Sequence, residues 1–189
     1  MVDPEQAAAP QTAPESIAVE RELAEKATLL RNRNGLLPLD KETKVLLLND
    51  VHTTQRWVNN YECHAATFWN KMLEQAPNVY CVEYTQLDEE NRDRIERRIP
   101  EADVIVATNW SPVRGCGGRT EYLRTLERFG KPMVVVTDSP YENVSPSDFP
   151  TVVFNFSANP ASLEAAAKII FGNLKPQGVN PIKRPDLLD

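Results

Sequence analysis

Met133-Val134-Val135-Val136 is an unbroken apolar run, entered through Gly130-Lys131-Pro132 and closed by Thr137-Asp138. A strand with one face in water alternates apolar and polar residues, whereas a run without alternation suits a strand covered on both faces. Other apolar runs have the same form, namely Val45 to Leu48, Val79 to Val82, Val104 to Ala107 and Val152 to Phe156. Together these runs predict the buried strands of a largely parallel sheet.

Helical patterns lie between the apolar runs. Residues 54 to 76 carry an aromatic stripe, residues 88 to 99 are mostly charged, and residues 119 to 129 place apolar side chains before Gly130. Asn159-Pro160 is typical of an N-cap and first helical residue, and predicts a helix that runs to Gly172. Alternating strands and helices predict an α/β fold, with a doubly wound, mostly parallel sheet of about five or six strands and helices on both faces. This architecture is a three-layer sandwich.

The N-terminal part is expected to be a linker followed by a helix. Residues 1–14 are rich in Ala, Pro and Gln, which is typical of a linker. Thr12 to Glu15 resembles a capping box, and the apolar spacing after it predicts a helix to about Arg31, stopped by Asn34-Gly35. We expect one domain over residues 15–182 and a tail over residues 183–189. Residues 137 to 151 are a short link to the run Val152 to Phe156. The sequence therefore leaves open whether that strand is parallel or antiparallel to the one before it.

Composition and charge argue against several classes of function. The chain has 189 residues, of which 41% are hydrophobic, so it can bury the core of one domain. The net charge is -6 and the basic residues are scattered among acids, which argues against a nucleic-acid partner. The 3 cysteines are few and far apart, which favours free thiols and the cytoplasm. No membrane span is predicted, although a signal peptide on further upstream sequence would change the localisation.

Two parts of the sequence resemble a known family. Residues 29 to 39, Leu-Leu-Arg-Asn-Arg-Asn-Gly-Leu-Leu-Pro-Leu, resemble the "LLKN..GLLPL" signature that opens the C-terminal domain of family 3 glycoside hydrolases. The closing half of the same domain resembles residues 102 to 107, 130 to 136, 139 to 142, 149 to 150, 161 to 167, 171 to 172 and 176 to 178. These segments follow the family's order and spacing over most of residues 15 to 182.

The resemblance implies a role within a larger enzyme. In this family a (β/α) barrel carries the Asp nucleophile, and the substrate lies between the barrel and the α/β domain. The β-glucosidase branch adds a general-acid Glu, followed closely by Asp-Arg, on a loop of the α/β domain, whereas the β-N-acetylglucosaminidase branch keeps the acid on the barrel. Residues 109 to 122 lack the Glu and Asp-Arg pattern, so the resemblance favours the acetylglucosaminidase branch. It implies an accessory domain that supports or lines a sugar site, is inactive alone and needs no cofactor.

Candidate contact residues follow the predicted strands, where doubly wound folds place their ligands. These polar, charged or aromatic residues are Asp50, His52, Glu83, Asn109, Trp110, Arg114 and Asp138. A Trp ring can stack on a sugar, and Arg can bind carboxylate or hydroxyl oxygens. The structural alternatives are that Asp50 and Asp138 cap the following turns, and that residues 109 to 118 form a plain loop or an interdomain contact. No convincing catalytic pair of carboxylates emerges from the strand ends.

The sequence leaves alternative functions open. The first is a stand-alone, non-catalytic α/β binding or protein-interaction module. A phospho-acceptor domain would use Asp50 or Asp138, but the acidic cluster that would hold magnesium is missing after the first strand. The sequence predicts no metal site, since His52, His64 and Cys63 lack the spacing of zinc ligands. The resemblance implies the barrel and a carbohydrate as partners, and a homodimer is left open.

Overall fold

The computed structural model describes residues 13–51, 66–110, 117–138 and 149–179. Within these ranges the strands are β1 (Leu29–Asn32), β2 (Val45–Asp50), β3 (Val79–Tyr84), β4 (Val104–Thr108), β5 (Met133–Thr137) and β6 (Thr151–Phe154). The helices are α1 (Pro14–Ala27), α2 (Thr67–Leu73), α3 (Glu89–Arg98), α4 (Gly117–Thr125) and α5 (Pro160–Ile170). Short 3-10 turns continue α3 and α4 at Ile99–Glu101 and Leu126–Phe129.

The strands form one sheet in the order β1-β6-β5-β4-β2-β3. Strands β2 to β6 are parallel, and β1 adds antiparallel to β6. β6 lies in the apolar run that ends at Phe156, and it is parallel to β5. The direction that the sequence left open is therefore parallel. After β3 the chain returns past β2 to form β4, so the winding reverses between β2 and β4. The predicted mostly parallel, doubly wound sheet is confirmed.

Helices cover both faces of the sheet. α2 and α5 pack on one face through Phe68, Met72 and Leu163, all of which are buried. α3 and α4 pack on the other face, where Ile95 and Leu123 are buried. Because both faces are covered, every residue of β2 is buried, as the absence of alternation in its sequence indicated. The three-layer prediction is therefore confirmed.

Two predictions about the N-terminal region are wrong. The first helix ends at Ala27 rather than at Arg31, and Leu29–Asn32 forms β1 instead. Pairing with β6 supplies hydrogen-bond partners to both strands, and this tertiary gain outweighs the helical spacing of the leucines. The expected capping box is also not used. Helix α1 begins at Pro14, and its N-cap is Ala13, which has no capping side chain.

Other local signals are confirmed by the structure. The Asn159 side chain caps α5 by accepting a hydrogen bond from the Ser162 amide at 2.7 Å. Gly130, at a φ of 65°, ends the turn that follows α4. The predicted helix of residues 54 to 76 is described only from Ala66 onward, and Trp57 and Tyr61 lie outside the described residues.

The two sequence stretches that carry the resemblance contact each other. The Asn32 amide group donates to the Leu37 carbonyl at 2.8 Å and accepts from the Leu37 N–H at 3.2 Å. The Leu39 N–H donates to the Ile170 carbonyl at 2.8 Å, at the end of α5. Gly172 follows α5 and lies against the Pro38 ring. These residues therefore join β1 to the end of α5, which is a structural role.

Helix α1 is held to α5 largely by charged groups, since Ala24 is its one buried side chain. Lys168 Nζ lies 2.9 Å from Glu25 and 2.8 Å from Glu164, and Arg21 Nε lies 3.8 Å from Glu164. Burial alone raises the pKa of Glu164, but the hydrogen bond from Lys168 and the charges of Lys168, Lys71 and Arg21 bring it below the usual 4.5. The Glu164 carboxylate is thus a shared anchor for α1, α2 and α5.

We expect acidification to weaken this anchor. A carboxyl whose folded pKa is depressed stabilises the fold above its unfolded pKa, and this contribution is lost as the pH falls through the folded pKa. Glu164→Gln should lower the free energy of unfolding at neutral pH by about 1 kcal/mol and flatten its decline below about pH 5. Urea unfolding at several pH values measures both effects. Glu121→Gln is the control, because Glu121 is an exposed carboxyl on α4, and an unchanged pH slope in Glu164→Gln would contradict the assignment.

Candidate functional site

The C-terminal ends of the parallel strands carry a row of buried polar residues. We call this row the polar edge; its members are Asp50, Thr108, Asn109, Thr137 and Asn155, each 2% exposed or less. The edge includes the point between β2 and β4 where the winding reverses, which is where doubly wound folds bind ligands. The polar edge is therefore the candidate site.

Hydrogen bonds join the strand ends beyond the regular ladders. The Thr108 hydroxyl accepts from the Asp50 N–H at 2.8 Å and lies 3.3 Å from the Leu48 carbonyl, to which it donates. The Thr137 hydroxyl donates to the Asn109 carbonyl at 2.8 Å, and the Asn155 N–H donates to the Thr137 carbonyl at 3.0 Å. Each bond links one strand to its neighbour, so the polar edge is a connected network from β2 to β6.

An ion pair between Asp50 and Arg119 lies at the centre of the polar edge. The Asp50 side chain has no exposed surface, and Arg119 Nε, from α4, contacts its Oδ2 atom. The Arg119 side chain is 16% exposed. Tyr84 is buried close by; burial raises the pKa of its hydroxyl, and the charge of Asp50 raises it further. Because a buried carboxylate requires a partner, Arg119 is what allows Asp50 to stay charged at the end of a core strand.

The sequence pattern did not single out Arg119. It lies in a predicted helix far along the chain from Asp50, and nothing in its neighbours marks it. The available signal was Asp50 itself, because an acidic residue directly after a buried strand needs a cation or a set of donors nearby.

Trp110 is buried within the fold, although it follows β4 directly. Its indole Nε1 donates to the Asp50 carbonyl at 2.9 Å, and the residue is 3% exposed. The ring belongs to the core cluster that includes Phe68 and Leu163. In this structure Trp110 therefore holds β2 and β4 together, and its ring face is not available for stacking.

Glu83 also makes hydrogen bonds within the chain. Its Oε1 atom accepts from Asn49 Nδ2 at 3.0 Å and from the N–H of Ala66, which precedes α2. This carboxylate thereby fixes the start of α2 to the ends of β2 and β3. Asp138 directly follows β5 and is half-buried. The remaining candidates, His52 and Arg114, lie outside the described residues.

Among the described residues, some buried polar groups have hydrogen-bond partners and others have none. Asn109 Nδ2 donates to the Thr120 hydroxyl at 3.2 Å, which ties β4 to α4. Within the described part of the chain, neither side-chain polar atom of Asn155 has a hydrogen-bond partner; outside the polar edge, on α4, the Tyr122 hydroxyl has none either. Burial raises the pKa of Tyr122 to about 12, so its hydroxyl stays protonated. Most buried polar groups are paired, so the Asn155 side chain is a candidate for contact with a bound molecule.

The described groups at the polar edge bind neighbouring elements and fix their positions. Arg119 binds the carboxylate of Asp50, and Asn49 and the Ala66 N–H bind that of Glu83, so each carboxylate holds separate elements together. Across the four described ranges, no three His, Cys, Asp or Glu side chains come together as metal ligands would. No helix in those ranges is long and apolar enough to cross a membrane.

Comparison with known proteins identifies similar folds among solved structures. No family model matches the sequence, and no curated protein matches it either. A mutant β-glucosidase from Listeria innocua with laminaribiose is 19% identical, with a TM-score of 0.67 over 87% of this chain and 26% of that chain. A family 3 β-N-acetylglucosaminidase from Paenibacillus sp. str. FPU-7 is 16% identical, with a TM-score of 0.75 over 89% of this chain and 32% of that chain.

The match is to one portion of each larger enzyme. A β-glucosidase of saponin metabolism from intestinal bacteria is 16% identical, with a TM-score of 0.66 over 93% of this chain and 34% of that chain. This chain thus spans about a quarter to a third of the length of these enzymes. The likeness is one of fold, and it confirms the fold that the sequence resemblance implied. This chain has the α/β fold found in one part of family 3 glycoside hydrolases.

Proposed function

We propose that this chain is the accessory second domain of a family 3 glycoside hydrolase and works with a (β/α) barrel that carries the nucleophile. The observation that carries the proposal is the unequal coverage of the match, 89% of this chain but 32% of the Paenibacillus acetylglucosaminidase. The larger part of such an enzyme has no counterpart in this chain. The signature of residues 29 to 39 and its contact with the end of α5 support the same family.

In this proposal the polar edge supports or lines the sugar site. The side-chain amide of Asn155, which has no hydrogen-bond partner among the described residues, favours this role, since sugars are bound by such neutral groups. Asp50, Glu83, Asn109 and Trp110 would act by fixing the strand ends, because their side chains already have partners in the chain. His52, Arg114 and Asp138 stay proposed contacts to sugar or barrel.

We further propose that the parent enzyme is of the β-N-acetylglucosaminidase type. Both kinds of enzyme share the fold, so the fold does not separate them. The support comes from residues 109 to 122, which lack a Glu closely followed by Asp-Arg. A domain without that acid fits an enzyme whose acid and nucleophile both lie on the barrel.

Helix α1 presents a surface that suits a neighbouring domain. Val19 and Leu23 are one helical turn apart, and they are 54% and 63% exposed. Contiguous exposed apolar surface marks contact sites on proteins, and this pair is the proposed centre of such a surface. The same surface is what favours the second candidate function, a stand-alone module that binds another protein.

We expect the isolated chain to be inactive on a chromogenic β-N-acetylglucosaminide. Retaining hydrolysis needs two carboxyl groups about 5–5.5 Å apart, and the proposal places both the nucleophile and the acid on the barrel. The assay would use an intact family 3 enzyme as the positive control, and robust turnover by the isolated chain would overturn the proposal. Adding the parent's barrel should restore activity if the barrel supplies both groups.

The same preparation separates the two candidate functions. A Val19→Glu, Leu23→Glu variant should lose the barrel in a pull-down, whereas Glu22→Gln, on the same helix, should retain it. Retention of the barrel by the first variant would exclude α1 as the contact. A wild-type chain that never binds a barrel but forms a defined complex with another protein would favour the module.

A further inference from the structure

β3 is an edge strand, and part of its backbone faces away from the sheet. The amides of Val45 and Val51 donate to the carbonyls of Asn78 and Tyr84, at 2.9 and 3.0 Å. Backbone groups alternate in direction along a strand, so residues 79, 81 and 83 direct their N–H and C=O groups outward. An edge of this kind is a template on which another strand can form.

Side chains from both flanking helices cover two of the outward carbonyls. Trp69 Nε1, from α2, donates to the Val79 carbonyl at 2.9 Å. The guanidinium of Arg94, from α3, donates to the Glu83 carbonyl. Between them lies a groove of about 310 Å³, lined by Trp69, Cys81, Val82, Glu83, Arg94 and Arg98. Among the described residues, none bonds to the backbone of Cys81 on this side, which lies between the Trp69 and Arg94 contacts.

The positions of the caps match what strand pairing with a second copy would require. Two identical edge strands pair antiparallel about a twofold axis, so the central residue meets its own counterpart. With Cys81 at the centre, every flanking hydrogen bond would use the carbonyl of residue 79 or residue 83 as its acceptor. Trp69 and Arg94 occupy these acceptors. The neighbouring Tyr80, which is 59% exposed, would otherwise add apolar surface to such a pair.

We propose that Trp69 and Arg94 are edge guards that keep β3 from pairing with β3 of a second copy. Neither contact is needed to form the chain's own sheet, because β3 binds β2 through the opposite side of its backbone. Trp69 and Arg94 come from helices on opposite faces of the sheet. They leave one outward-facing residue, Cys81, between the two capped carbonyls, which is too short a stretch for a stable strand pair. The inference does not depend on the proposed enzymatic role.

The test removes the guards with little other change. Trp69→Phe keeps an aromatic ring but loses the indole N–H, and Arg94→Ala removes an exposed guanidinium. Arg97→Ala is the matched control, since it removes the same charge from α3 but pairs with Asp93 at 3.6 Å. Light scattering after size-exclusion chromatography, over a range of concentrations, gives the association constant. The double variant should self-associate at least about tenfold more strongly than the wild type, as a few recovered hydrogen bonds would allow.

Amide hydrogen exchange identifies the surface involved. In a β3 pair, the amides of residues 79, 81 and 83 should become protected as the concentration rises, and peptides from β1 should not. A double variant that is folded by circular dichroism yet as monomeric as the wild type would overturn the proposal. So would self-association without protection of β3, or equal self-association of Arg97→Ala. If Trp69→Phe lowers stability, the Arg94→Ala single variant applies the same test.

Discussion

Replacing Arg119 with alanine is expected to lower the free energy of unfolding by about 3–5 kcal/mol. The Asp50 side chain has no exposed surface, so loss of its partner would leave a carboxylate buried and uncompensated at the end of β2. Asp50 also bonds through its backbone to Thr108 and Trp110, so the disturbance would reach β4. Urea denaturation followed by circular dichroism gives the magnitude.

A double variant separates the cost of an unpaired charge from the loss of packing. Asp50→Leu combined with Arg119→Met removes both charges, so it should recover most of the stability lost in Arg119→Ala. Arg97→Ala, at an exposed position of α3, should change stability by no more than about 0.5 kcal/mol. A loss below about 1 kcal/mol in Arg119→Ala would show that the polar edge does not depend on this pair.

The sheet could be predicted because its signal is local. Val134 and Val135 face opposite sides of β5, and both are fully buried. Because both faces of the strand are covered, its sequence is an apolar run without alternation. The cap of α5 was predictable for the same reason, since Asn159 and Ser162 are one turn apart. Signals of this kind need no knowledge of where the rest of the chain lies.

The features that the sequence did not show are contacts between distant parts of the chain. Leu29 and Leu30 continue a helical spacing, and only the presence of β6 makes a strand more favourable there. The burial of Trp110 could not be predicted from the residues beside it in the sequence. Its indole N–H bonds to the carbonyl of Asp50, which belongs to a distant part of the chain. Arg119 and Arg94 were overlooked since their partners, Asp50 and the carbonyl of Glu83, belong to other elements. Charged side chains at tertiary contacts leave no periodic pattern.

The polar edge has a physical role that does not require catalytic residues of its own. Burying five polar residues is costly unless they bond to one another, and the described bonds run continuously from β2 to β6. Such a network fixes the relative positions of strand ends, from which the loops emerge. Loops on a rigid scaffold are where α/β proteins place their contacts with substrates and partners. An accessory domain would contribute to a shared sugar site in this way.

Gly172→Ala is expected to lower the free energy of unfolding by about 2–4 kcal/mol, from two causes. Gly172 follows α5 with a φ of 73°, which disfavours any residue with a Cβ atom, and a Cβ placed there would lie 2.9 Å from Pro38 Cβ. Gly130→Ala is the matched control, because its φ is 65° but nothing lies within 4 Å of the added atom. Gly130→Ala should lower the free energy of unfolding by about 1–2 kcal/mol, which is the cost of a Cβ atom at a positive φ alone.

The difference between the two variants measures the contact between the end of α5 and Pro38. That contact closes the junction in which Leu39 bonds to Ile170 and Asn32 bonds to Leu37, so Gly172→Ala should also increase amide exchange in β1. Chemical denaturation of both variants, with exchange measured on the same samples, gives the comparison. Equal losses in Gly172→Ala and Gly130→Ala would mean that the two resemblance stretches adjoin without supporting each other. A larger loss in Gly172→Ala, with exchange rising in β1, would mean that the signature serves to hold this junction.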